Sequence, residues 1–476
     1  MLGLFGALNM ASGAMDAQQE GIEVAGQNMA NVDNSAYARE QLVLESSIPM
    51  PTSIGSEGTG VEATAITEVR DALLDQQITS ETSVTGSLTS QQTALQYVQD
   101  ALGEELQSSS SSSSDSTSVG TTGGLADDLS GLFNAFQTLS TNPSSLADRQ
   151  AVIAAGQQLS SQFNQVDQQL TSLNSQLNQS VQTGVTSANQ YLSDIASLNQ
   201  QIIAAQAGNG GTANTLIDQR QQDLESLANL VNVQTTANSD GSINLSVDGN
   251  SLIAGSNLED TLQTYDAGGG QLLVATAGAS GTPLTLTSGS IQGTIQARDG
   301  ALATLQTGVN TLASQLVTQV NTVYSAGYDL NGNTGADFFT GTNASDIAVS
   351  SALAGNPETL QASGTAGATG DNTVALALAQ LADTEQSGLG NQTFSGSYNY
   401  IITNLGSSLS SVNNELTDQQ TVQSMLTQQR NSEDGVNMDE EMTNVVSYER
   451  AYQGAAELVT TLDQMLNMVV GMKQNP

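Results

Sequence analysis

Two apolar stripes, one near each end of the chain, constrain its fold more than any other feature. In each stripe the apolar positions recur at steps of three or four residues, or at their sum of seven, as in the seam of a coiled coil. The N-terminal stripe comprises Leu4, Leu8, Ala11, Met15, Ile22, Ala25 and Met29. The C-terminal stripe comprises Met442, Val445, Tyr452, Ala455, Val459, Leu462, Leu466 and Val469. Chain ends are usually poorly ordered unless something ties them down. We therefore expect the stripes to pack against each other, against neighbouring subunits, or both.

Charge is sparse and one-sided in this chain of 476 residues. Lys and Arg total 8 against 47 for Asp and Glu, which gives a net charge of −39. With so few cations, the chain is expected neither to bind nucleic acid nor to insert into an anionic membrane. It has no Cys and no His, which excludes disulfides, thiolate and imidazole metal ligands, and histidine-dependent catalytic triads. No cofactor is expected, and the chain is not expected to be an enzyme.

The sequence also bears on where the protein acts. No apolar run approaches the roughly 18 residues that a membrane span requires. The first residues do not resemble a secretory signal, because no Lys or Arg precedes Arg39 and the apolar run from Leu2 to Leu8 is short. We expect a protein that either stays in the cytoplasm or is exported by a dedicated machine without a cleaved signal peptide.

Periodicity predicts a mainly α protein with an inserted β domain (α+β). The expected architecture has terminal helices that form a coiled-coil-like axial core, a long helical bundle, and a small outward β domain. The period changes from helical to alternating at about Val231. The predicted segments are 1–60, the N-terminal axial helix and turn; 61–230, the bundle; 231–290, the inserted β domain; 291–400, a helical and loop return segment that the inserted domain could include; 401–435, the return helix of the bundle; and 436–476, the C-terminal axial helix.

Within these segments several shorter elements are predicted. The pattern from Val61 to Leu106 is helical, and the serine-rich run from Ser108 to Gly124 predicts a loop. A glycine cluster at 208–211 predicts a turn. Strands are predicted at 233–235, 243–247, 252–253, 272–274 and 284–286, with Asp-Gly hairpin turns at 240–241 and 248–249.

Two polar clusters have both a structural and a functional interpretation. Asp439, Glu440 and Glu441 follow Asn437 at the start of a helix. Carboxylates there favour the positive helix end, which explains them better than catalysis does. The run 329–340 begins like a calcium-binding loop, but Thr stands at 334, where the sharp turn needs Gly, and at 340, where a bidentate Glu belongs. A structural turn is the favoured interpretation.

Two terminal motifs resemble the signature of flagellar rod, hook and hook-associated proteins. The first ends in a turn that includes Ala30, Asn31, Tyr37 and Arg39. The second runs from Asn437 to Leu466. In the turn, the family usually has Asn, Thr, Pro and Gly where this chain has Asp33, Asn34, Ser35 and Ala36.

Three internal segments narrow the resemblance to the hook-associated members of that family. They are Asn142-Pro143-Ser144-Ser145 with Arg149-Gln150, Leu216 to Arg220, and Gln319-Val320-Asn321 with Ala326 to Gly332. The resemblance implies a structural component of the bacterial flagellum that docks on the distal end of the hook and nucleates the filament. It implies that the two stripes and the turn are assembly interfaces, and that the stripes are unpaired in the free monomer.

The same resemblance implies partners and a location. The partners are the flagellar hook protein, a second hook–filament junction protein, copies of the chain itself in a ring, and an export chaperone on the C-terminal helix. The location is the extracellular flagellum, reached through the flagellar type III channel.

Two alternatives remain at this point. A rod-associated cell-wall hydrolase needs two carboxylates about 5 to 9.5 Å apart across a sugar cleft, and would hydrolyse cell wall as purified protein. An acidic extracellular coiled-coil adhesin would self-associate stably without any hook.

Overall fold

The computed structural model describes residues 3–34, 36–52, 55–102, 124–207, 213–279 and 281–472. Most of the predicted serine-rich loop, the predicted glycine turn at 208–211, and Ser35 of the turn motif lie outside the described residues. The described part is mainly helical with an inserted β region, which confirms the predicted fold class.

Ten α-helices account for most of the described residues. They are α1 (Leu4–Ala30), α2 (Ala72–Leu102), α3 (Leu125–Thr141), α4 (Leu146–Gln206), α5 (Asn214–Leu230), α6 (Ser290–Gln296), α7 (Ala303–Tyr324), α8 (Thr373–Gln380), α9 (Phe394–Glu433) and α10 (Met438–Met472). A π-helical turn, Ala297–Leu302, joins α6 to α7. Ser145 caps α4 by accepting a hydrogen bond from the amide of Asp148 (3.3 Å), one of the first amides of the helix that lack an intrahelical partner.

A β-hairpin follows α1 and packs on it. Strand β1 (Glu40–Ser46) pairs with β4 (Val61–Glu68), and β2 (Met50–Thr52) pairs with β3 (Gly55–Glu57) at the tip. The predicted helix from residue 61 is therefore wrong, and so is the segment bound at 60/61, which cuts the hairpin. The reason is that residues 61–65 alternate between half-buried and exposed side chains, a strand period, and the helix begins only at Ala72.

The helical bundle closes around an aromatic and aliphatic core. The ring of Phe338 contacts those of Phe136, Tyr324 and Phe339, with centroid distances of 5.5, 5.4 and 4.7 Å. These residues pack with α2, α3, the first half of α4, α7, α8 and α9. Because residues between 297 and 398 belong to this core, most of the return segment 291–400 packs with the bundle, while Ile291 and Ile295 at its start pack in the core of the inserted β region. The bound at 400/401 is wrong, because it cuts α9.

The inserted β region has a separate core. Its larger sheet has the order β5 (Gln234–Ala237), β6 (Ile243–Val247), β7 (Asn250–Ala254) and β8 (Asn257–Leu258). A second hairpin pairs β9 (Leu262–Asp266), which was not predicted, with β10 (Leu272–Thr276). Both pack on α5 and the second half of α4. In the turn between β6 and β7, Asp248 has φ 50° and Gly249 φ 75°, as a type I′ hairpin requires.

The strand predicted at 284–286 is absent from the described structure. Only Pro283 forms an isolated bridge there, with Ala275, and proline has no N–H to continue a strand ladder. The amide of Thr285 donates instead to the carboxylate of Asp248 (2.8 Å). Two further short strands, β11 (Phe339–Thr340) and β12 (Ala348–Val349), form a small hairpin beside the bundle.

Residues 329–340, which begin like a calcium-binding loop, form a turn that is held by hydrogen bonds to Asp329. One carboxylate oxygen of Asp329 accepts the amides of Asn331 (2.8 Å) and Asn333 (2.7 Å), and the other accepts the side-chain amide of Asn333 (2.9 Å). Within the described ranges, no group of three or more acidic side chains has an arrangement suited to a metal ion. The helices that the structure describes include none with both the length and the apolar content of a membrane span.

Buried arginines tie the layers of the fold together. Arg149, Arg220 and Arg298 are almost fully buried and bond to backbone carbonyls. Arg298, in the π-helical turn, donates to Asn178 Oδ1 on α4 (2.6 Å) and to the carbonyl of Leu272 on β10 (2.7 Å). This side chain therefore fixes the β region against the long helix.

Candidate assembly interface

The turn after α1 is held by one buried asparagine. Asn28 Oδ1 accepts the hydroxyl of Tyr37 (2.8 Å) and the amide of Glu40 (2.9 Å), while its Nδ2 donates to the Glu40 carbonyl (2.9 Å). Burial, with the charge of Glu40 second, holds the pKa of Tyr37 above its usual range, so its hydroxyl stays a neutral donor. Asn31 ends the helix by donating from Nδ2 to the carbonyl of Gln27 (3.0 Å). The helix and the start of β1 thus form one rigid corner.

Arg39 connects that corner to the C-terminal helix. Its amide donates to the Asp434 carbonyl (2.9 Å), and its guanidinium lies 3.1 Å from Glu440 and 3.7 Å from Glu441. Asn437 Oδ1 caps α10 by accepting the amides of Asp439 (3.0 Å) and Glu440 (3.4 Å). The acidic cluster lies in the first turn of α10, where the sequence analysis placed it, and its members Glu440 and Glu441 also contact Arg39, which the sequence did not indicate.

The terminal helices α1 and α10 pack against each other antiparallel within one chain. The turn after α1 contacts the start of α10, and further along a Cβ built on Gly21 would lie 2.8–2.9 Å from ring carbons of Tyr448. Glycine allows this close approach because it has no side chain. The expectation that the stripes are unpaired in the free monomer is wrong for this structure, because each helix buries part of its stripe on the other.

A cluster of buried charges lies beneath the turn, where α2, α5 and α9 meet the hairpin. The Arg70 guanidinium contacts Glu68 (3.1 Å), Asp75 (3.0 Å) and Asp218. Asp218 also accepts the amide of Ala38 (3.3 Å), which joins α5 to the turn motif. Three carboxylates thus face one guanidinium at the junction between the terminal helices and the bundle.

The second cation of this cluster comes from α9. Arg430 lies 2.6 Å from Glu225 and 4.0 Å from Asp75. Its Nε is buried without a hydrogen-bond partner. A cavity of about 280 Å³ lies beside it, with Tyr37 and Asp434 also on its wall.

Burial and the excess of acid raise the carboxyl pKa values of this cluster. Burial raises the pKa of Glu68 to about 7 and that of Asp218 to about 6, although the charge of Arg70 opposes both shifts. Burial also raises the pKa of Asp75, again against Arg70. With three carboxylates and one central guanidinium, the cluster favours binding a proton near neutral pH.

We expect the protein to become more stable as the pH falls from about 7 to about 5. A carboxyl whose pKa is raised on folding binds more protons in the folded than in the unfolded state between the two values, here from 4.5 to about 7 for Glu68. The free energy of unfolding therefore falls as the pH rises through this window. Thermal melts at pH 5, 6, 7 and 8 measure the slope. Glu68→Gln should flatten it, and an unchanged slope in that variant would contradict the assignment.

Comparison with known proteins agrees with this arrangement. A family profile described as "Flagellar hook-associated protein FlgK helical domain" matches residues 111–339, and one described as "Flagellar basal body rod FlgEFG protein C-terminal" matches 427–472. Flagellar hook-associated protein 1 of Bacillus subtilis is 26% identical, over 99% of this chain and 98% of the relative. The chain belongs to the flagellar hook-associated protein family.

Two further relatives extend the comparison. Flagellar hook-associated protein 1 of Escherichia coli K12 is 27% identical over 70% of this chain and 59% of the relative. The structure of the flagellar hook junction protein FlgK from Burkholderia pseudomallei superposes with a TM-score of 0.61 at 17% identity, covering 75% of this chain and 99% of that one. The latter shows a shared fold.

The predicted assembly residues of this hook-associated family member lie in three environments. The buried ones are Ala11, Ala25 and Leu462; the half-buried ones are Leu4, Leu8, Met15, Ile22, Met29, Asn31, Tyr37, Arg39, Val445, Tyr452, Ala455, Val459 and Leu466; the exposed ones are Ala30, Met442 and Val469. Their role in assembly stays a prediction.

Met442 and Val469 are exposed in the single chain, so their place in the seam stays a prediction about contacts with neighbouring subunits. Met442 is 53% and Val469 55% exposed. Glu441 takes the inward position beside Met442 because its carboxylate faces Arg39. Val469 lies too far along α10: counting from the Gly21–Tyr448 contact, Met465 is level with Leu4, so Val469 extends past the first turn of α1.

The most buried face of α1 was missed. It comprises Ala17, Gly21, Val24 and Asn28, of which only Val24 is a large apolar residue, so the face gave a weak apolar signal. One side of α1 also meets the hairpin, where a Cβ on Gly60 would lie 3.0 Å from the side chain of Met10. The recurring three- and four-residue spacing of Ala17, Gly21, Val24 and Asn28 is the one pattern that would have revealed this second face.

Proposed function

We propose that the chain is a structural subunit of the flagellar hook–filament junction, which docks on the distal end of the hook and nucleates the filament. The observation that carries this is the antiparallel α1–α10 pair, fixed to the bundle through Arg39 and the Arg70 cluster. The pair brings both chain ends to one place, while the bundle and the β region extend away from it. Such a pair provides an axial element that can pack beside identical elements of neighbouring subunits.

The partners proposed for this subunit are those of a junction. They are the hook protein below it, a second junction protein above it, copies of the chain in a ring, and an export chaperone on the C-terminal helix. We propose that the chain is exported without a cleaved signal peptide and acts in the extracellular flagellum. The large exposed apolar residues on α10, Met442, Val446, Leu458, Met465 and Met468, support these contacts because they are available to a partner.

A structural rather than enzymatic role is part of the proposal. A groove of about 1030 Å³ between α7 and α9 has no Asp or Glu on its walls, whereas a glycosidase needs two carboxylates across its cleft. The relatives are named as hook-associated proteins. Purified protein is expected to leave cell wall intact, and it is expected to need the hook for ordered assembly, unlike an adhesin.

The test of the proposed function is docking on purified hooks, seen by electron microscopy. Val459→Ala combined with Leu462→Ala is expected to abolish docking and, in cells, to release filament subunits into the medium. Each truncation in a packed seam costs about 1–4 kcal/mol. Neither residue belongs to the bundle or β-region core, so melting of those parts should not change.

The matched control is Glu457→Gln, an exposed change on the same helix that should dock normally. Wild-type protein that leaves hooks bare would refute the proposed function. If the double variant instead lowered the free energy of unfolding of the bundle by several kcal/mol, α10 would belong to the globular core.

A further inference from the structure

We propose that Arg450, on the outward face of α10, pairs with an acidic stripe on α1 of a neighbouring copy of this chain. That stripe comprises Asp16, Glu20 and Glu23. The inference rests on the proposed function, which brings copies side by side at the hook.

Arg450 has no side-chain partner in the part of the chain that the structure describes. Over the ranges that the structure describes, the other six arginines bond to carboxylates, amides or backbone carbonyls, and Arg450 alone has no side-chain hydrogen bond or ion pair. Its own helix offers no carboxylate at the usual spacing, because the positions three and four residues away are Val446, Ser447, Gln453 and Gly454. In a chain with 47 acidic residues, an exposed and unpaired arginine is unusual.

The surroundings of Arg450 have the composition of an interface. Met442 and Val446 precede it at steps of four, so the three side chains form one outward stripe along α10. Met442 is 53% and Val446 45% exposed. Arginine and large apolar side chains are enriched at the centres of protein interfaces.

The acidic stripe on α1 lacks a cation of its own. Asp16, Glu20 and Glu23 are exposed and spaced by four and three, so they share one face, and α1 contains no Lys or Arg. Like charges at such spacing destabilise a helix. Across the described part of the chain, none of the three has an ion pair; Glu23 accepts only a hydrogen bond from Gln19 (3.0 Å). The negative charges of the stripe therefore complement the positive charge of Arg450, and contacts among the described residues leave both without an ion pair.

Arg450 on α10 and the acidic stripe on α1 lie at the same level along the helix pair, but they face in different directions. Gly21 faces Tyr448 and the helices are antiparallel, so Arg450 is level with residue 19, between Asp16 and Glu20. At about 1.5 Å per residue, all three acids lie within about 6 Å of that level. Arg450 cannot reach them in its own chain, because it is two residues, about 200° of helix rotation, beyond Tyr448.

A neighbouring copy can satisfy this pairing. When copies are related by rotation about an axis parallel to the helix pair, equivalent residues lie at the same level along that axis. Arg450 of one copy therefore faces the acidic stripe of the next copy. The contact joins two different faces and is therefore heterologous, which generates a ring or a helical array and not a closed dimer. This is the geometry that a subunit layer on a hook requires.

Charge exchange tests the proposal. Arg450→Glu is expected to reduce occupancy on purified hooks about tenfold or more, because it places like charges face to face. Adding Glu20→Arg and Glu23→Arg to that variant is expected to restore docking to within about threefold of wild type. The matched control is Ser407→Glu with Ser410→Glu, two exposed positions on α9, which makes the same net charge change and should dock normally.

Cysteine cross-linking gives a readout that does not depend on docking strength. The chain has no Cys, so Gln19→Cys and Gln453→Cys, both at exposed positions, introduce single thiols. A mixture of the two variants, on hooks or in concentrated solution, is expected to form disulfide-linked dimers, and each variant alone is not.

Several outcomes would overturn the inference. They are normal docking by Arg450→Glu, no rescue by the charge exchange, no cross-linking in the mixture, or efficient cross-linking by one variant alone, which would indicate a symmetric contact. Bare hooks with wild-type protein would refute the proposed function instead, and cross-linking in concentrated solution would still decide the inference.

Discussion

Arg70→Met is expected to lower the free energy of unfolding by about 3–5 kcal/mol, because it leaves buried carboxylates without their counter-charge. Glu68, Asp75 and Asp218 all contact the Arg70 guanidinium, and their side chains are 7%, 10% and 8% exposed. Urea denaturation at pH 7.5 measures the loss. The loss should shrink toward pH 5, since protonation neutralises carboxyls whose pKa values the fold has already raised.

Two variants control the Arg70 experiment. Adding Glu68→Gln and Asp218→Asn to Arg70→Met is expected to recover most of the stability, because two of the three carboxylates are then neutral and the third, Asp75, still has Arg430 at 4.0 Å. Arg450→Met removes an exposed arginine and should change the stability of the free chain by less than about 0.5 kcal/mol. A loss below about 1 kcal/mol for Arg70→Met would show that the cluster does not hold the junction together.

Gly21→Val is expected to separate α1 from α10 and to abolish docking on hooks while leaving the bundle folded. A Cβ at this position lies 2.8 Å from the ring of Tyr448, and valine adds two further carbons in the same space. Overpacking of this kind costs about 1–3 kcal/mol, here taken from the pairing of two terminal helices. Hydrogen exchange should show lost protection across 4–30 and 438–466, with unchanged protection in the bundle.

The same helix supplies the control for Gly21. A Cβ on Gly26 would meet nothing within 4 Å, so Gly26→Val makes the same change in helix propensity without the collision and should dock normally. Tyr448→Ala combined with Gly21→Val should regain part of the lost hydrogen-exchange protection of α1 and α10, because removing the tyrosine ring leaves space for the valine. If Gly21→Val and Gly26→Val reduced protection and docking equally, the pairing of α1 with α10 would depend on helix propensity and not on the contact with Tyr448.

Local periodicity was enough to predict most elements. The apolar spacing predicted α1 and α10, and the Asp-Gly pairs predicted the turns at 240–241 and 248–249. It failed at Val61–Glu68, where a strand pattern lies next to a long helix, and at 284–286, where the contact with β10 is limited to the Pro283 bridge and one hydrogen bond from the Leu284 amide to the Val274 carbonyl (2.7 Å). Periodicity describes which side of an element is apolar, but not what that side meets.

The turn motif shows the same limit at the level of single residues. Resemblance pointed to Tyr37 and Arg39, yet their partners, Asn28 for the first and Asp434, Glu440 and Glu441 for the second, required the fold. Polar contacts of this kind depend on distances between atoms far apart in sequence, and no spacing rule encodes them.

The sequence by itself determined the mainly α class, the inserted β region, the terminal stripes and the family. Repeating patterns and motifs are local properties, and they survive without any knowledge of packing. The tertiary structure alone decided that α1 pairs with α10 inside one chain, that Arg70 contacts three carboxylates from β4, α2 and α5, and that Arg450 has no side-chain partner among the residues that the structure describes. These contacts form when apolar faces are buried against each other and buried charges pair with opposite charges. Which surfaces come together in this way depends on the whole fold.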